Sequence, residues 1–250
     1  MRSENDEKSG TGMEGFEKQF GAPVPGWAPP LRPSRHSMKG RYVALDPLEA
    51  ELHGDALHDA NSADAAIWDY LPYGPFATVA EYKSWIRDAA CADDPLFFAV
   101  RVKATQQYAG VLSFLRIAPQ AGSIEVGHIN FARTLQRTAA ATEAIFLMMQ
   151  WAFEAGYRRF EWKCDALNRG SRRAAQRFGF SYEGVFRQAT IYKGRNRDTA
   201  WFACIDAEWP ALKEAYLTWL SPENFDASGR QLTSLADLTS PILVARDPLL

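Results

Sequence analysis

The spacing of hydrophobic residues first becomes regular near position 41 of the chain. Residues 41–47 hold a short apolar run, Tyr42 to Leu45, which predicts a short strand that ends at a proline. Residues 48–61 then carry helical spacing, with Leu48, Leu52 and Leu57 as the expected buried stripe. The ordered part of the chain is therefore expected to begin with a strand followed by a helix.

A second helix and three strands are predicted next. Glu81 follows Thr78 by three residues, which is the pattern of a capping box, so a helix is expected to begin here and run through Cys91. Three apolar runs typical of strands follow, at residues 96–103, 107–117 and 123–131. Because the links between the runs are short, with Gly122 at the second turn, the three strands are expected to pair antiparallel.

Helical spacing returns after the third of these strands. The apolar residues that share one face of this helix are Ala141, Ile145, Met148, Met149 and Ala152. The helix is expected to end near Gly156, and residues 157–164 alternate as a strand with Cys164 facing inward. Asn168 is the expected N-cap of a helix that reaches Phe178. Two more strands are predicted at residues 180–192 and 199–206, with a turn at residues 193–197 between them. A last helix is predicted at residues 208–220.

This order of elements predicts one α/β domain (α+β mixed) at residues 41–220, flanked by two tails. Residues 1–40 are rich in glycine and proline and are expected to form a tail or a draped arm. Residues 221–250 lack periodicity and are expected to form a C-terminal tail. Residues 67–76, here called the aromatic loop, could form a pocket wall or could simply pack their own rings together.

Composition excludes several classes of protein. The 28 Lys and Arg residues against 30 Asp and Glu residues give a net charge of −2, which argues against a dedicated nucleic-acid binder. No apolar run approaches the roughly 18 residues of a membrane span, and the N-terminus lacks the apolar segment of a secretory signal. The three cysteines are far apart, which excludes a disulfide framework and a cysteine-rich zinc site, so no metal is expected. We therefore expect a cytoplasmic protein.

The sequence that follows the strand predicted at residues 123–131 fits a helix start that binds phosphate. It reads Gln136-Arg137-Thr138-Ala139-Ala140-Ala141. The free backbone N–H groups and the dipole at a helix start can hold an anion such as a pyrophosphate. Glycine is favoured at such positions because the backbone approaches the ligand closely. Ala139 departs from that preference by one methyl group, and alanine suits helical backbone angles.

Several motifs together carry a resemblance to a known family. The stretch from Gln136 to Ala141 is similar to the signature Q/R-x-x-G-x-G/A, and Thr142-Glu143-Ala144 continues it. Asn168-Arg169-Gly170-Ser171 matches the pattern N-x-x-S, and Gly179-Phe180 matches the Gly-Phe that follows the same helix. Over residues 41–220 the chain resembles the GNAT acetyltransferase superfamily, and within it the branch that acetylates N-terminal residues of ribosomal proteins. The resemblance implies a GNAT fold, with a central, mostly antiparallel, splayed sheet flanked by helices.

The resemblance also implies acetyl-CoA as the co-substrate. Asn168 would hydrogen-bond the pantetheine arm or a nearby backbone group, and Ser171 would protonate the departing thiolate. Taken alone, the same residues also fit a helix cap and an ordinary first-turn serine. Phe178 stands where other branches carry a tyrosine acid and has no hydroxyl, which leaves Ser171 or a water. The residues expected to bind the coenzyme are Phe131, Gln136, Arg137, Thr138, Ala139, Ala140, Ala141, Thr142, Asn168 and Ser171.

The reaction needs a group that takes a proton from the amine. Glu125 and His128 lie on one predicted strand, three residues apart, so a regular strand would point them to opposite faces. A bulge at Gly127 would bring both toward one cleft. By resemblance Glu125 is the expected base, acting through water, although it could also be an ordinary carboxylate on the sheet face. Glu161 on the neighbouring strand is the reserve candidate, and a backbone N–H near Phe131 is the expected oxyanion donor.

Taken together, these features predict an enzyme that transfers an acetyl group directly from acetyl-CoA to a primary amine. A protein N-terminal α-amine and a small-molecule amine are both open as acceptors. Two alternatives are a non-catalytic module that binds acyl-CoA and a structural protein whose tails mediate assembly. No nucleic-acid or membrane partner is expected, and a homodimer embraced by the tails stays open.

Overall fold

The computed structural model describes residues 19–250, in which eight strands form one open sheet. The strands are β1 (Met38–Lys39), β2 (Val43–Pro47), β3 (Leu96–Val102), β4 (Tyr108–Ala118), β5 (Ser123–Phe131), β6 (Arg159–Asp165), β7 (Ser181–Tyr192) and β8 (Arg195–Ile205). Their order in the sheet is β1-β2-β3-β4-β5-β6-β8-β7. Only β5 and β6 pair in parallel, while the other neighbours are antiparallel. The predicted mixed α/β class with a mostly antiparallel sheet is confirmed.

Helices cover both faces of this sheet. They are α1 (Ala50–Ser62), α2 (Val79–Cys91), α3 (Ala139–Glu154), α4 (Arg169–Arg177), α5 (Trp209–Leu220) and α6 (Leu235–Thr239). The alternation within β3 shows how the two layers form: Phe98 packs in the core beneath α3 and α5, whereas Phe97 packs beneath α1 and α2. None of the helices in the described part of the chain is both long and apolar enough to cross a membrane.

The parallel pair β5 and β6 separates partway along its length. The strands pair from Ser123 with Arg159 to Val126 with Trp162, and beyond that point each continues without the other. Helices α3 and α4 begin shortly after the carboxyl ends of β5 and β6, respectively. Because the carboxyl ends of parallel strands lie at the same edge of a sheet, the two helix starts flank the gap.

Two local predictions differ from the structure. Leu52, expected in the buried stripe of α1, is 66% exposed, because the buried face of the helix instead includes His53, Leu57 and Asn61. The turn expected at residues 193–197 contains only Lys193 and Gly194, which both have positive φ angles of 48° and 70°. A two-residue turn with two positive φ angles matches the twist of a hairpin, so β8 begins already at Arg195.

The segments on either side of residues 41–220 pack against the body of the protein. On the N-terminal side the structure begins at residue 19, so the first part of the predicted tail lies outside the described residues. Within the described part, β1 begins before residue 41, and Trp27 lies against the guanidinium of Arg158 with 5.5 Å between the group and the ring centroid. Residues 19–37 otherwise follow the surface as an arm.

On the C-terminal side, the chain after residue 220 reaches α4 and β7. The carboxylate of Asp247 pairs with the guanidinium of Arg172 at 2.5 Å, and both side chains are buried. The backbone N–H of Val244 donates to the hydroxyl of Ser181 at 3.0 Å. Although the sequence there lacks periodicity, this segment is fixed to the helix that carries Ser171.

Candidate active site

The start of α3 has the form of an anion-binding helix terminus. Thr138 is the N-cap: its hydroxyl accepts the N–H of Ala141 at 3.1 Å and donates to the carbonyl of Leu135 at 2.6 Å. The first hydrogen bond within the helix runs from the N–H of Thr142 to the carbonyl of Thr138. The N–H groups of Ala139 and Ala140 therefore lie outside the helix's own hydrogen bonds and could hold a phosphate.

The side chains of residues 136–142, around the start of α3, differ in burial and in hydrogen bonding. Ala140, Ala141 and Thr142 are buried. The Gln136 amide donates to the carbonyl of Phe131 at 2.8 Å, which ties the loop to the end of β5. Arg137 is exposed and has a φ of 62°. Ala139, which stands where glycine is favoured, is the first residue of the helix, and alanine suits helical backbone angles.

The start of α4 places a hydroxyl beside the gap between β5 and β6. Asn168 caps the helix, since its side-chain oxygen accepts the N–H of Ser171 at 3.0 Å. The hydroxyl of Ser171 accepts the indole N–H of Trp162, on β6, also at 3.0 Å. Because that contact occupies a lone pair, the hydroxyl proton of Ser171 stays available for donation. The cap role of Asn168, one of the two expectations, is thus present in the structure.

Cys164 is not suited to be a nucleophile. It lies on the inward face of β6, as predicted, and is 6% exposed. Burial raises the pKa of its thiol to about 11, against smaller effects of Ser171 and nearby arginines. A thiol with that pKa stays protonated at neutral pH, so the position supports direct transfer without a covalent intermediate.

Glu125 lies inside an ion-paired cluster. Its carboxylate is 2% exposed, with Nη1 of Arg116 2.7 Å from Oε1 and Nζ of Lys163 2.9 Å from Oε2. The contact with Lys163 lacks hydrogen-bond geometry, so Oε2 has no hydrogen-bond partner in residues 19–250 and the attraction is electrostatic. Burial raises the pKa of Glu125, while the two cations partly offset that rise.

Glu161, the reserve candidate, is committed to neighbouring cations. Its carboxylate accepts from Nε of Arg159 and from Nζ of Lys163, both at 2.6 Å. Burial acts to raise its pKa, but these two hydrogen bonds lower it overall. A carboxylate with a lowered pKa and two cationic partners is a weak proton acceptor, so Glu161 fits the base role less well than Glu125 does.

The bulge predicted at Gly127 is present in β5, but it lies one residue later, at His128. The register between β4 and β5 shifts between Val111 and Ser113, and His128 has a φ of 51° in place of the bulge expected at Gly127. Its ring stacks on Tyr73, whose hydroxyl lies 3.0 Å from Nδ1, and packs against Phe97 in the layer beneath α1 and α2. The bulge therefore turns His128 to the sheet face that also carries Glu125.

The imidazole of His128 is held neutral. Burial, together with Arg116 and Arg197, lowers its pKa to about 4. Since the unfolded chain binds a proton near pH 6.5 and the folded chain only near pH 4, stability is expected to fall as the pH drops through that window. Its neutral form is the one that can accept a proton at pH 7.

Replacing His128 with asparagine, which tolerates the left-handed backbone, should remove this acid sensitivity. The free energy of unfolding of the wild type is expected to fall by about 2 kcal/mol more than that of His128→Asn between pH 7 and pH 4.5. Denaturant titrations at the two pH values measure this difference, with His36→Asn at an exposed histidine as the control. Equal pH dependence of wild type and His128→Asn would contradict it.

The structure brings to this region several residues that the motifs did not mark. The aromatic loop crosses to the other side of the gap, where the Tyr70 hydroxyl meets the carbonyl of Leu167 at 3.4 Å and Lys193 donates to the carbonyl of Trp68 at 2.8 Å. Asn130, on β5 beyond the bulge, is 3% exposed, and its amide has no hydrogen-bond partner in residues 19–250. The one sequence feature that could have marked Asn130 is its place one residue before the end of a predicted strand.

The described residues offer no cluster of three or more His, Cys, Asp or Glu side chains that could hold a metal ion. The starts of α3 and α4 flank the gap, and the start of α4 carries the Ser171 hydroxyl, while Glu125 and His128 lie on the sheet face beneath α1 and α2. Chemically, this arrangement can hold an anion at one end and exchange protons at the other.

Comparison with known proteins identifies the family. The family model described as "Acetyltransferase (GNAT) domain" matches residues 43–181. A crystal structure of a GCN5-related N-acetyltransferase from Brucella melitensis is 49% identical with a TM-score of 0.85, covering 87% of this chain and 100% of that one. An uncharacterised N-acetyltransferase, p20, from Bacillus licheniformis is 24% identical over 151 residues, which is 59% of this chain and 84% of p20.

A more distant structure shares the fold. The microcin C7 self-immunity acetyltransferase MccE, solved in complex with acetyl-CoA and AMP, is 22% identical with a TM-score of 0.59, covering 66% of this chain and 93% of that one. The family model spans more than half of the chain, and it includes the split strands and the starts of both α3 and α4. The chain belongs to the GNAT acetyltransferase family and is an acyltransferase enzyme.

Proposed function

We propose that this protein transfers an acetyl group from acetyl-CoA directly to a primary amine. The observation that carries the proposal is the pair of helix starts that flank the split between β5 and β6, one with free N–H groups and one with the Ser171 hydroxyl. The acceptor is a protein N-terminal α-amine, as in the ribosomal-protein branch that the motifs resemble, or a small-molecule amine.

In this proposal the coenzyme lies along the gap. The N–H groups of Ala139 and Ala140 hold the pyrophosphate, within a binding segment that runs from Gln136 to Thr142. Asn168 and the end of β5 near Phe131 contact the pantetheine arm. MccE, which shares the fold, was solved in complex with acetyl-CoA, and this supports acetyl-CoA as the co-substrate in the proposal.

The reaction needs two proton transfers, one to the departing thiolate and one from the amine. The amine nitrogen bonds to the thioester carbon, the bond between carbon and sulfur breaks, and the departing thiolate takes the hydroxyl proton of Ser171, which regains a proton from water, to which Glu125 in turn returns the amine proton. Glu125 takes the proton that the amine loses. Since Glu125 is 2% exposed, that proton reaches it through water, and a carboxylate with a raised pKa is the stronger base.

Substitutions at the start of α4 should separate binding from turnover. Asn168→Ala is expected to raise the Kd for acetyl-CoA and to cost about 1 kcal/mol of stability through loss of the cap. Asn168→Asp keeps an oxygen cap and serves as its control for stability. Ser171→Ala is expected to lower kcat about 100-fold with a smaller change in Kd. Wild-type kinetics in both alanine variants would contradict the assignment of this site.

Calorimetric titration with acetyl-CoA, with free CoA as the control, is the first test of the proposal. Micromolar binding, followed by thiol release that depends on an added peptide or small amine, is the expected result. Absence of binding at millimolar coenzyme would overturn the proposal. Binding without thiol release across the peptide and amine panel would favour the non-catalytic acyl-CoA-binding alternative.

A further inference from the structure

The aromatic loop crosses the gap between β5 and β6 on the side of the sheet that carries α1 and α2. It meets the bulge of β5 where the hydroxyl of Tyr73 lies 3.0 Å from Nδ1 of His128. It meets the hairpin of β7 and β8 where Lys193 donates to the carbonyl of Trp68 at 2.8 Å. We call the opening between these two contacts the mouth of the gap, because it leads between the two strands from this side of the sheet.

Arg197 lies on the hairpin side of the mouth. Thr199 on β8 pairs with Asp165, the last residue of β6, and Arg197 lies two residues further toward the hairpin turn. Ala200 and Phe202 belong to the core that α3 covers, so the alternation of β8 turns Arg197 to the opposite face. The side chain of Arg197 is therefore on the same side of the sheet as the mouth, just beyond the end of β6.

The guanidinium of Arg197 has no polar partner in the part of the chain that the structure describes. It forms no ion pair with a carboxylate of residues 19–250. Its Nε is buried without a hydrogen bond, whereas the two Nη groups of this half-buried residue stay accessible. The group lies over the ring of Tyr192, 5.6 Å from the ring centroid. A charged fork of N–H donors is thus left open to an anion that enters the mouth.

The carboxylate beside Arg197 is already satisfied. Asp165, which also contacts Tyr192, accepts the N–H of Leu167 with one oxygen and the hydroxyl of Tyr192 with the other, both at 2.8 Å. The charge of Arg197 also acts across the mouth, because burial and two arginines, Arg197 among them, lower the pKa of His128 to about 4. The mouth therefore holds a positive charge that Asp165 does not bind.

The phosphates of the coenzyme do not fit as the partner of this charge. Helix α3 packs with Phe98 and Phe202 in the core on the other face of the sheet. In the proposed function the pyrophosphate is held at the start of that helix, on the side away from Arg197. The other component of the reaction is the acceptor, which is then the molecule that brings an anion to the mouth.

We propose that Arg197 binds a carboxylate of the acceptor, so that the substrates are amines that also carry a carboxylate. A carboxylate offers two oxygens to the planar guanidinium, which is the arrangement that arginine binds best. A dianionic phosphate fits less well, because the negative charge of Asp165 beside Tyr192 would repel its second charge. This inference rests on the proposed acetyl transfer and names the class of its acceptor.

Two matched pairs of amines test the inference by binding alone. One pair is γ-aminobutyrate and γ-aminobutyramide, and the other is the peptides alanyl-glutamyl-alaninamide and alanyl-glutaminyl-alaninamide. Calorimetric titration of the full chain with millimolar free CoA present gives a Kd for each amine without any transfer. The carboxylate member of at least one pair should bind about tenfold more tightly than its amide, and that pair identifies a small molecule or a peptide side chain as the source. Equal Kd values within both pairs, or no binding in either, would overturn the inference.

Variants of Arg197 show whether its guanidinium causes the preference. Because the group has no partner within residues 19–250, Arg197→Gln should fold normally and bind both members of the pair equally. Arg197→Lys keeps the charge but not the fork, and should retain a preference of about threefold. Arg195→Gln, at an exposed position of the same strand, should change the preference by no more than about twofold. A preference that survives Arg197→Gln would refute the site.

Thiol release from acetyl-CoA with the same pairs separates this inference from the proposed function. A higher kcat/KM for the carboxylate member, lost in Arg197→Gln, would support both. Selective binding of the carboxylate without thiol release would support the site at Arg197 and contradict the proposed transfer. Thiol release at equal kcat/KM within each pair would support the transfer and overturn the role of Arg197.

Discussion

Glu143→Ala is expected to lower the free energy of unfolding by about 4 kcal/mol. The Glu143 carboxylate is 5% exposed and accepts three backbone N–H groups at the start of β2, from Arg41 at 2.7 Å, Tyr42 at 2.5 Å and Val43 at 2.9 Å. The substitution leaves these donors unsatisfied and partly or wholly buried, and each such loss costs roughly 1–3 kcal/mol, with incomplete additivity. For a chain of this length the melting temperature should fall by about 10 °C.

The matched control for this prediction is Glu154→Ala on the same helix. Glu154 is exposed and pairs with Lys213 at 2.9 Å, so its loss should change stability by less than about 1 kcal/mol. Denaturant titrations of both variants provide the measurement. If Glu143→Ala were no less stable than Glu154→Ala, the carboxylate would not be what fixes β2 to α3. The neighbouring Gly40 has a related role, because a Cβ atom there would overlap the Glu143 carboxyl group.

Ala139→Glu is expected to weaken acetyl-CoA binding about 100-fold while leaving the fold intact. A carboxylate in the first turn of α3 is favourable for the helix dipole, so the melting temperature should not fall. The same charge would repel a pyrophosphate at the helix start. Two unit charges a few ångströms apart near a protein surface interact by up to roughly 4 kcal/mol, and 100-fold corresponds to about 2.7 kcal/mol.

Ala139→Lys is the control, because it has a side chain of similar length with the opposite charge. It should bind acetyl-CoA at least as tightly as the wild type, with a slightly less stable helix. Calorimetric titration of the three proteins gives the comparison. Equal affinity of the Glu and Lys variants would mean that the phosphates bind away from the start of α3.

Much of the fold follows from short-range features of the sequence. The capping box at Thr78 and Glu81 forms as predicted, with both of its hydrogen bonds at 3.2 Å. Asn168 caps α4, and Phe160, Trp162 and Cys164 occupy the inward face of β6. These features depend on residues within one or two turns of each other, or on strict alternation. They can therefore be identified without knowing what packs against them.

The chemical state of the candidate site does not follow from such features. Nothing near Glu125 in the sequence indicates that Lys163, from the next strand, lies 2.9 Å from its carboxylate. The lowered pKa of His128 comes from burial and from Arg116 and Arg197, which are distant along the chain. A pKa depends on solvent access and on every nearby charge, and both are set by the packing of separate elements.

By itself, the sequence determined the order of strands and helices between residues 41 and 220, the starts of α3 and α4, and the motifs that mark a GNAT acetyltransferase. The tertiary structure decided which polar groups are satisfied and which stay free. It bound Glu143 to β2 across about 100 residues, fixed α4 to the C-terminal segment through Arg172 and Asp247, and turned His128 by a bulge to the face of Glu125. The reason is physical: spacing and caps act within a few residues, whereas burial, ion pairing and strand register arise only when distant parts of the chain meet.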